Sequence, residues 1–277
     1  MIPIISIIIP CYNQGRYLND ALQSIAALND SSLYEVIIVN DGSTDAITLS
    51  VLNEFETKGH TIINQNNKGL GAARNTGIKA ATGKYILPLD CDNKIKPEYI
   101  YESIKLLEED PLLDVVYSNA EYFGDKAGLW ESGDFNLQRL MIENYIDACA
   151  VFRKSTWEKI GGYDEKMPVM GYEDWDFWLR IAFNNGNFKY INKVLFYYRY
   201  SEKSMIRSIQ KDRLTSIYSY METKHSKYLN RKYLNNLIFF KTSRNKGLAF
   251  YLFMKSYFPK ISSILRKAGV LDNKEII

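Results

Sequence analysis

The stretch that decides the fold is IISIIIPCYN, residues 4–13. Its first six residues are almost all isoleucine, and a continuous β-branched run is typical of a central parallel strand that is covered on both faces. The run ends at Pro10 and is followed by the polar residues Tyr12 and Asn13. The sequence therefore predicts a buried strand over 4–9 whose carboxyl end carries polar side chains.

Outward from this stretch, predicted strands and helices alternate over the first 110 residues. Further buried strands are predicted at 36–39, 61–64 and 85–89, and helices at 18–28, 45–58, 70–80 and from Pro97 onward. Alternation of this kind predicts an α/β fold with a doubly wound, mainly parallel central sheet flanked by helices.

The pattern becomes more mixed after residue 110. Strands are predicted near 115–117 and 148–152, and an amphipathic helix from about Glu173 to Asn184. From about residue 203 onward only helices are predicted, including an apolar one at 248–254. None of them reaches the length needed to span a bilayer.

The charge is distributed unevenly along the chain. Residues 1–200 carry 19 Lys/Arg and 27 Asp/Glu, whereas residues 201–277 carry 16 and 5. Such a basic tail predicts an anionic membrane surface as a partner. The alternative is that its helices pack on the main domain or form a homodimer contact, with the basic side chains solvated on their outer faces. The aromatic residues that would reach the membrane are Phe250, Tyr251, Phe253, Tyr257 and Phe258. Nucleic acid is a less favoured partner, because no recognised motif accompanies the charge.

The cysteines indicate the compartment. Cys11, Cys91 and Cys149 are an odd number and form no Cys-x-x-Cys pair, which argues against zinc or dithiol chemistry. The apolar run at 2–9 is too short for a signal peptide and lacks a positive flank. A reduced, cytoplasmic location is expected, with peripheral membrane attachment through the basic tail as an addition.

Three predicted strands end in polar clusters, namely PCYN at 10–13, NDGS at 40–43 and DCDN at 90–93. Ligands of open parallel sheets bind at the carboxyl ends of the strands, so we expect these clusters to form one site. Asp90 and Asp92 can hold a hard divalent cation, and capping of the next helix is the structural alternative. The chain has two histidines, which argues against a Ser-His-Asp hydrolase.

The segment DGSTD at 41–45 has two interpretations. A tight turn followed by a helix cap explains Ser43 and Asp45 as well as a functional role does. Asp41 stands at the strand end itself, where a contact to a nucleobase or a ribose is favoured.

Two further segments combine glycine with charge. KGLGAARN at 68–75 begins like a dinucleotide fingerprint, but Arg74 takes the place of the third glycine and the segment follows the third strand, so an NAD site is a poor match. With Lys68 near a helix start, it still suits a nucleotide or phosphate. GYEDWD at 171–176 is either an acidic helix cap or the source of a carboxylate base.

These motifs together resemble glycosyltransferase family 2, whose members have the GT-A fold. Five strings stand in the family's order: IIIPCYN at 7–13, VNDGSTD at 39–45, GLGAARNTG at 69–77, LDCDN at 89–93 and GYEDWD at 171–176. The resemblance covers about residues 3–205 and implies a GT-A catalytic domain at 1–205. Its nucleotide-binding half would be 1–110 and its acceptor-binding half 111–205, and 206–277 would be a basic helical extension.

The resemblance also implies a role for individual residues. Asp92, with Asp90 beside it near the ribose, would ligate Mn²⁺ or Mg²⁺. Asp174 would be the catalytic base, with Glu173 as the alternative. The nucleotide-sugar would be bound by Pro10, Tyr12, Asn13, Asp41, Lys68, Gly69, Arg74, Asp90, Cys91 and Asp92.

The chain departs from the family pattern at two positions. Asn40 stands where many members have a first aspartate, which affects a supporting contact. In YRYSEKSM at 198–205, Ser201 takes the place of a histidine that often lies near the metal or diphosphate. Arg199 and Lys203 are the candidates to replace its charge.

The implied activity is transfer of a sugar, with inversion, from a nucleotide diphosphate (UDP by default) to a hydroxyl of a glycan or lipid-linked acceptor, as in surface-polysaccharide assembly. One alternative is a catalytically silent nucleotide- or carbohydrate-binding module. Another, a sugar nucleotidyltransferase, would need a longer loop richer in glycine than PCYNQGR at 10–16.

Overall fold

The first half of the chain alternates strands and helices, as the sequence predicts. In the computed structural model, which describes residues 2–202 and 211–229, this half comprises β1 Ile5–Cys11, α1 Gly15–Ala26, β2 Tyr34–Asp41, α2 Ala46–Thr57, β3 Thr61–Gln65, α3 Leu70–Ala80, β4 Tyr85–Pro88, β5 Lys94–Ile95 and α4 Pro97–Glu109. Four neighbouring strands run parallel in the order β3-β2-β1-β4. Asp45 caps α2, since its side chain accepts a hydrogen bond from the Thr48 N–H at 2.8 Å.

The second half adds strands to the same sheet, some parallel and some antiparallel to their neighbours. It comprises β6 Leu113–Gly124, β7 Gly128–Trp130, α5 Leu137–Leu140, β8 Val151–Arg153, α6 Lys154–Ile160, α7 Glu173–Phe183, β9 Asn187–Tyr200 and α8 Lys211–Lys224. Strand β8 is antiparallel to β4 and β6, β9 is parallel to β6, and β5 is antiparallel to β9. The sheet is therefore parallel on one side and mixed on the other. The long strand β9 is not among the predicted elements.

Alternate side chains of β1 serve two cores. Ile5, Ile7 and Ile9 pack with the apolar face of α1, whereas Ile8 packs with Ile78 of α3. All four isoleucines of β1 are fully buried. The continuous apolar run is thus explained by a strand that is covered by helices on both faces.

Helix α3 approaches the sheet closely at Gly77. A Cβ at this position would lie 2.4 Å from Ile8 Cγ2 and 3.1 Å from Val39 Cγ2. Carbon atoms in favourable contact lie about 3.5–4.0 Å apart, so a larger residue would push the helix away. Glycine here lets α3 carry Arg74, one turn earlier, to the ends of β1 and β2.

A buried charge cluster attaches α8 to α7. The fully buried Asp176 accepts from Arg180 Nε at 2.8 Å and from Lys224 Nζ at 2.9 Å, and His225 Nε2 lies 2.8 Å from its Oδ1. Burial would raise the pKa of Asp176, but the hydrogen bond from His225 and the charges of Arg180 and Lys224 hold it below its ordinary value. Lys224 also pairs with Asp164.

Of the predicted basic extension at 206–277, the structure describes 211–229. The apolar helix at 248–254, Lys203 and the aromatic residues expected to contact a membrane lie outside the described residues. Within the described part of the chain, no helix combines the length and apolarity that crossing a membrane requires.

Candidate functional site

A cavity of about 540 Å³ lies where the carboxyl ends of β1, β2 and β4 meet the first turns of α3 and α7. The predicted site residues that line it are Pro10, Tyr12, Asp41, Gly69, Arg74, Asp90, Cys91, Asp92, Glu173 and Asp174. They come from five separate segments between residues 10 and 174. The structure thus brings the five motifs to one place, as expected for ligand sites of open α/β sheets.

Two predicted residues, Asn13 and Lys68, do not line this cavity. Asn13 adopts a positive φ of 54° and its Oδ1 accepts from the N–H groups of Thr44 (2.7 Å) and Asp45 (3.1 Å). It therefore joins the turn after β1 to the loop after β2. Ser43 takes part in the same junction, since its Oγ accepts from the Asn13 N–H at 3.1 Å.

Asp41 holds the glycine-rich turn before α3. Its Oδ1 accepts from Gln65 Nε2 at 2.7 Å and from the Lys68 N–H at 2.9 Å, and its Oδ2 accepts from the Gly69 N–H at 2.9 Å. The side chain is buried and lines the cavity. The contribution of Lys68 is thus a backbone group, and the expected contact between Asp41 and a nucleobase stays a prediction.

Arg74 connects the two acidic motifs. It is 1% exposed, its Nη2 donates to Asp90 Oδ1 at 2.6 Å and its Nη1 donates to Glu173 Oε1. Burial would lower the pKa of Arg74, but the charges of Asp90 and Glu173 raise it. The Tyr163 ring centroid lies 5.6 Å from Arg74 Cζ. A single guanidinium therefore orients one carboxylate from each half of the chain.

Glu173 and Asp174 differ in how their oxygens are used. Glu173 is engaged at both oxygens, because Oε1 accepts from Arg74 and Oε2 accepts from the Gly171 N–H at 2.8 Å. In Asp174, Asn144 Nδ2 (3.0 Å) and the Trp175 N–H (2.8 Å) both donate to Oδ1. Burial, followed by the charge of Glu173, raises the pKa of Asp174 well above its ordinary value. Glu173 is thus fixed at both oxygens, whereas these two donors to Asp174 converge on one oxygen.

Negative charge dominates the cavity. Its lining includes six carboxylates, and Arg74 is the one Lys or Arg among the described lining residues. Burial and the charge of Asp90 raise the pKa of Asp92 to about 6 and that of Asp147 to about 7. Carboxylates held this close resist ionisation unless a cation is present, and hard oxygen ligands suit Mg²⁺ or Mn²⁺. The residues therefore fit a divalent cation, although no group of three His, Cys, Asp or Glu in the described residues forms a ready cage.

Arg199 lies beside the Asp-x-Asp turn. Its Nε donates to the Asp92 carbonyl at 3.1 Å, and its backbone N–H donates to Asn93 Oδ1 at 2.8 Å. The guanidinium lies between the rings of Tyr17 and Phe123, 4.4 Å from each. Its charge opposes part of the rise in the pKa of Asp92 that burial and Asp90 cause. Arg199, one of the two candidates to replace the charge of the missing histidine, thus contacts the Asp-x-Asp motif.

Asp147 is the lining carboxylate that the sequence reasoning missed. It immediately precedes the predicted strand at 148–152, whereas the polar clusters considered in the sequence follow strands. Because β8 is antiparallel to β4, the start of β8 lies at the same edge as the end of β4. The signal in the sequence was an acidic residue next to a buried strand. Assigning this residue to the site requires knowing that the strand runs antiparallel to β4.

The comparisons with known proteins agree with this geometry. Residues 6–170 match the sequence model of Glycosyl transferase family 2, and residues 135–206 match that of the N-terminal domain of galactosyltransferase. An uncharacterized glycosyltransferase of Methanocaldococcus jannaschii is 28% identical over 91% of this chain and 89% of its own length. The chondroitin synthase of Escherichia coli is 32% identical over 70% of this chain, which spans 29% of that longer protein.

Solved structures resemble the fold. TarS of S. aureus, in complex with UDP-GlcNAc, has a TM-score of 0.67 at 19% identity, covering 94% of this chain and 83% of its own. The mannosyltransferase PcManGT of Pyrobaculum calidifontis, in complex with GDP-Man and Mn²⁺, has a TM-score of 0.64 at 16% identity, covering 98% and 80%. The predicted GT-A fold is thereby confirmed. With the family match over more than half of its length, the chain belongs to glycosyltransferase family 2 and is a transferase.

Proposed function

We propose that this chain transfers a sugar from a nucleotide diphosphate, with a UDP-sugar as the first choice, to a hydroxyl of a glycan or lipid-linked saccharide, with inversion at the anomeric carbon. The observation that carries the proposal is the composition of the cavity, with six carboxylates around Arg74. A diphosphate is itself an anion, so it can enter this cavity favourably only together with a cation.

The nature of the donor is supported by the size of the cavity and by the similar structures. Small-molecule sites occupy about 300–1,000 Å³, and the cavity of about 540 Å³ lies in this range. TarS and PcManGT are described with UDP-GlcNAc and GDP-Man, respectively, both of which are nucleotide diphosphate sugars. The choice between uridine and guanosine is left to experiment.

The proposed cation is held by Asp92, with Asp90 as the second candidate. When bound, it neutralises charge on the departing diphosphate. Mg²⁺ usually binds one or two protein carboxylates and completes its shell with waters and phosphate oxygens. Arg74 keeps Asp90 in place through the 2.6 Å hydrogen bond from its Nη2 to Asp90 Oδ1.

Asp174 acts as the base in this proposal. The acceptor hydroxyl gives its proton to Asp174 while its oxygen attacks the anomeric carbon on the face opposite the leaving group. The raised pKa of Asp174 strengthens it as a proton acceptor, provided that the donor complex leaves it ionised. Glu173 instead acts as a positioning residue, because its two oxygens bind Arg74 and the Gly171 N–H.

The proposal is tested by release of nucleoside diphosphate from UDP-GlcNAc, UDP-glucose, UDP-galactose and GDP-mannose, with saccharide acceptors present or absent. Asp174→Asn should lower the transfer rate by about 10²–10⁴-fold, the usual contribution of a general base. Asp134→Asn, an exposed aspartate of the same half, is the matched control and should not change the rate.

Near-normal transfer by Asp174→Asn would remove Asp174 from the role of base. Nucleotide binding without release from any donor would instead favour the silent-module alternative. Inversion is checked separately, by the anomeric configuration of the first product formed.

A further inference from the structure

Two cysteines of the cavity lie in contact. Cys11 is the last residue of β1 and Cys91 stands between Asp90 and Asp92. Their Sγ atoms are 3.6 Å apart, and both side chains are buried and line the cavity. Cys91 is a predicted donor contact, but neither thiol takes part in the proton transfer or the cation binding of the proposed reaction. The third cysteine, Cys149, is also buried but does not line the cavity.

We infer that Cys11 and Cys91 form an oxidation site, which a two-electron oxidant such as a peroxide converts to a disulfide that displaces Asp90 and Asp92 in the cavity. The sheet itself supplies the alignment. Strands β1 and β4 pair in parallel with Ile5 opposite Tyr85 and Ile8 opposite Pro88. The same offset of 80 residues separates Cys11 from Cys91.

The contact between the two sulfurs leaves a small movement to a disulfide. Strand β4 ends at Pro88, so Cys91 belongs to the turn after this strand and meets the last residue of β1 there. The sulfurs must approach from 3.6 Å to about 2.05 Å, a movement of about 1.5 Å. This movement is within the reach of a turn that follows a strand end, as the turn around Cys91 does.

The chemistry balances with peroxide as the oxidant. One thiolate attacks a peroxide oxygen, which gives a sulfenic acid and, after protonation, one water. The second thiol then attacks the sulfenic sulfur, so that the S–S bond forms and a second water leaves. The two thiols lose two electrons in total, and these reduce one peroxide to two waters. Cys91 Sγ also lies 3.5 Å from the Gln14 carbonyl, which can accept its thiol hydrogen and leaves Cys11 as the sulfur that reacts first.

The consequence for the cavity follows from the position of Cys91, and this step rests on the proposed function. A shift of Cys91 moves Asp90 and Asp92 with it, and Asp90 is a hydrogen-bond partner of Arg74. Displacement of catalytic groups by about 1 Å can cost about 10²-fold in rate. We therefore expect oxidation to weaken metal-dependent nucleotide binding at least tenfold and to abolish most of the transfer.

The first experiment counts thiols in the full chain after exposure to hydrogen peroxide, under denaturing conditions, with peptide mapping. Wild type should fall from three titratable thiols to one, yield a linked Cys11–Cys91 peptide, and recover all three after reduction. Cys149→Ser, the matched control, should form the same linked peptide, and Cys11→Ser should form none. Three persistent thiols, a bridge to Cys149, or sulfinic acid without a linked peptide would overturn the inference.

The second experiment measures UDP binding with Mn²⁺ before and after oxidation. Bound UDP and Mn²⁺ should slow the loss of thiols, and oxidised wild type should bind UDP at least tenfold more weakly until it is reduced. In Cys11→Ser the ratio of oxidised to reduced affinity should stay near one. Equal UDP affinity in the two redox forms of wild type would refute the displacement of Asp90 and Asp92 by the disulfide.

The two proposals fail in distinguishable ways. If the disulfide forms but neither redox form binds any nucleotide, the proposed function is wrong and the oxidation site stands. If reduced protein binds UDP and transfers sugar but no Cys11–Cys91 peptide appears, the oxidation site alone is wrong.

Discussion

The two halves of the molecule contribute to the cavity in different ways. The first half presents the open edge of a parallel sheet, where β1, β2 and β4 end side by side. The Asp-x-Asp motif follows β4, and helix α3 adds Arg74. The second half reaches the same edge by an antiparallel strand and a helix start, and supplies Asp147, Glu173 and Asp174. Its contribution to the lining is acidic, whereas the first half also provides the cation Arg74.

The Asp-x-Asp motif thus follows one of several neighbouring strands, whereas Glu173 and Asp174 are brought to the same edge from a distance in sequence. Glu173 is 99 residues from Arg74 in sequence, yet their side chains are paired. One buried guanidinium therefore contributes to the junction of the halves, and three substitutions test the contrast.

The largest effect is expected at that junction, in Arg74→Met. The substitution leaves Glu173 and Asp90 without their shared partner, and breaking a buried ion pair in this way typically costs about 3–5 kcal/mol of unfolding free energy. Unfolding in urea measures it. The matched control is Lys84→Met, which removes an exposed pair with Glu108 and should cost no more than about 1 kcal/mol. Similar losses for the two variants would mean that Arg74 does not join the halves.

An intermediate effect, with a dependence on pH, is expected for Asp147→Asn in the presence of a chelator. The pKa of Asp147 is about 7 in the folded protein and about 3.9 in an unfolded chain, so its ionisation costs the folded state stability as pH rises from about 4 to 7. The amide that replaces the carboxyl group does not titrate. The variant should therefore gain more thermal stability over wild type at pH 8 than at pH 5, by about 2–4 °C for each kcal/mol relieved.

The exposed Asp134→Asn is the control for this measurement and should show the same difference from wild type at both pH values. A gain by Asp147→Asn that is equal at pH 5 and pH 8 would mean that burial and Asp90 do not perturb Asp147.

The smallest effect is expected where α8 packs against α7, in Lys224→Met. The substitution removes the ion pairs to Asp164 and Asp176. Hydrogen bonds to charged groups contribute at most about 1.5–3 kcal/mol each, and the contribution is smaller for a partly exposed lysine. We expect a loss of about 1.5 kcal/mol in urea unfolding. Lys227→Met, an exposed lysine one turn later, should have no measurable effect. Equal stability of both variants would show that α8 is not held by this cluster.

The same contrast explains how much of the fold could be predicted from the sequence. In the first half, each central strand is a local run of β-branched residues that both cores need, so the predicted strands and helix starts agree with the structure to within a few residues. In the second half, β9 alternates irregularly between exposed and buried residues. Its pairing with β6 shifts register three times, beginning between Leu113 and Val115, and such shifts remove the regular period that would reveal a strand.

The site shows a similar limit. The motifs identified ten of the residues that line the cavity, because each motif is contiguous in sequence. The approach of Asp147 depends on the direction of β8, and the pairing of Arg74 with Glu173 joins residues 99 positions apart, neither of which a local pattern specifies. In the structure the side chain of Asn13 and the backbone of Lys68 hold loops, and the expected contacts of these two residues with the donor stay predictions.

The central claim is that an acid-lined cavity at the junction of the halves binds a nucleotide diphosphate together with a divalent cation. The most direct test is the thermal shift of wild type and Asp92→Ala with UDP, GDP, dTDP, CMP or NAD, each with and without Mn²⁺. A ligand at 100 times its Kd stabilises by about 2.7 kcal/mol, so the shift is readily measured. The account predicts that one diphosphate stabilises wild type only with Mn²⁺ and that Asp92→Ala loses this shift. Equal stabilisation without Mn²⁺, or an undiminished shift in Asp92→Ala, would contradict it.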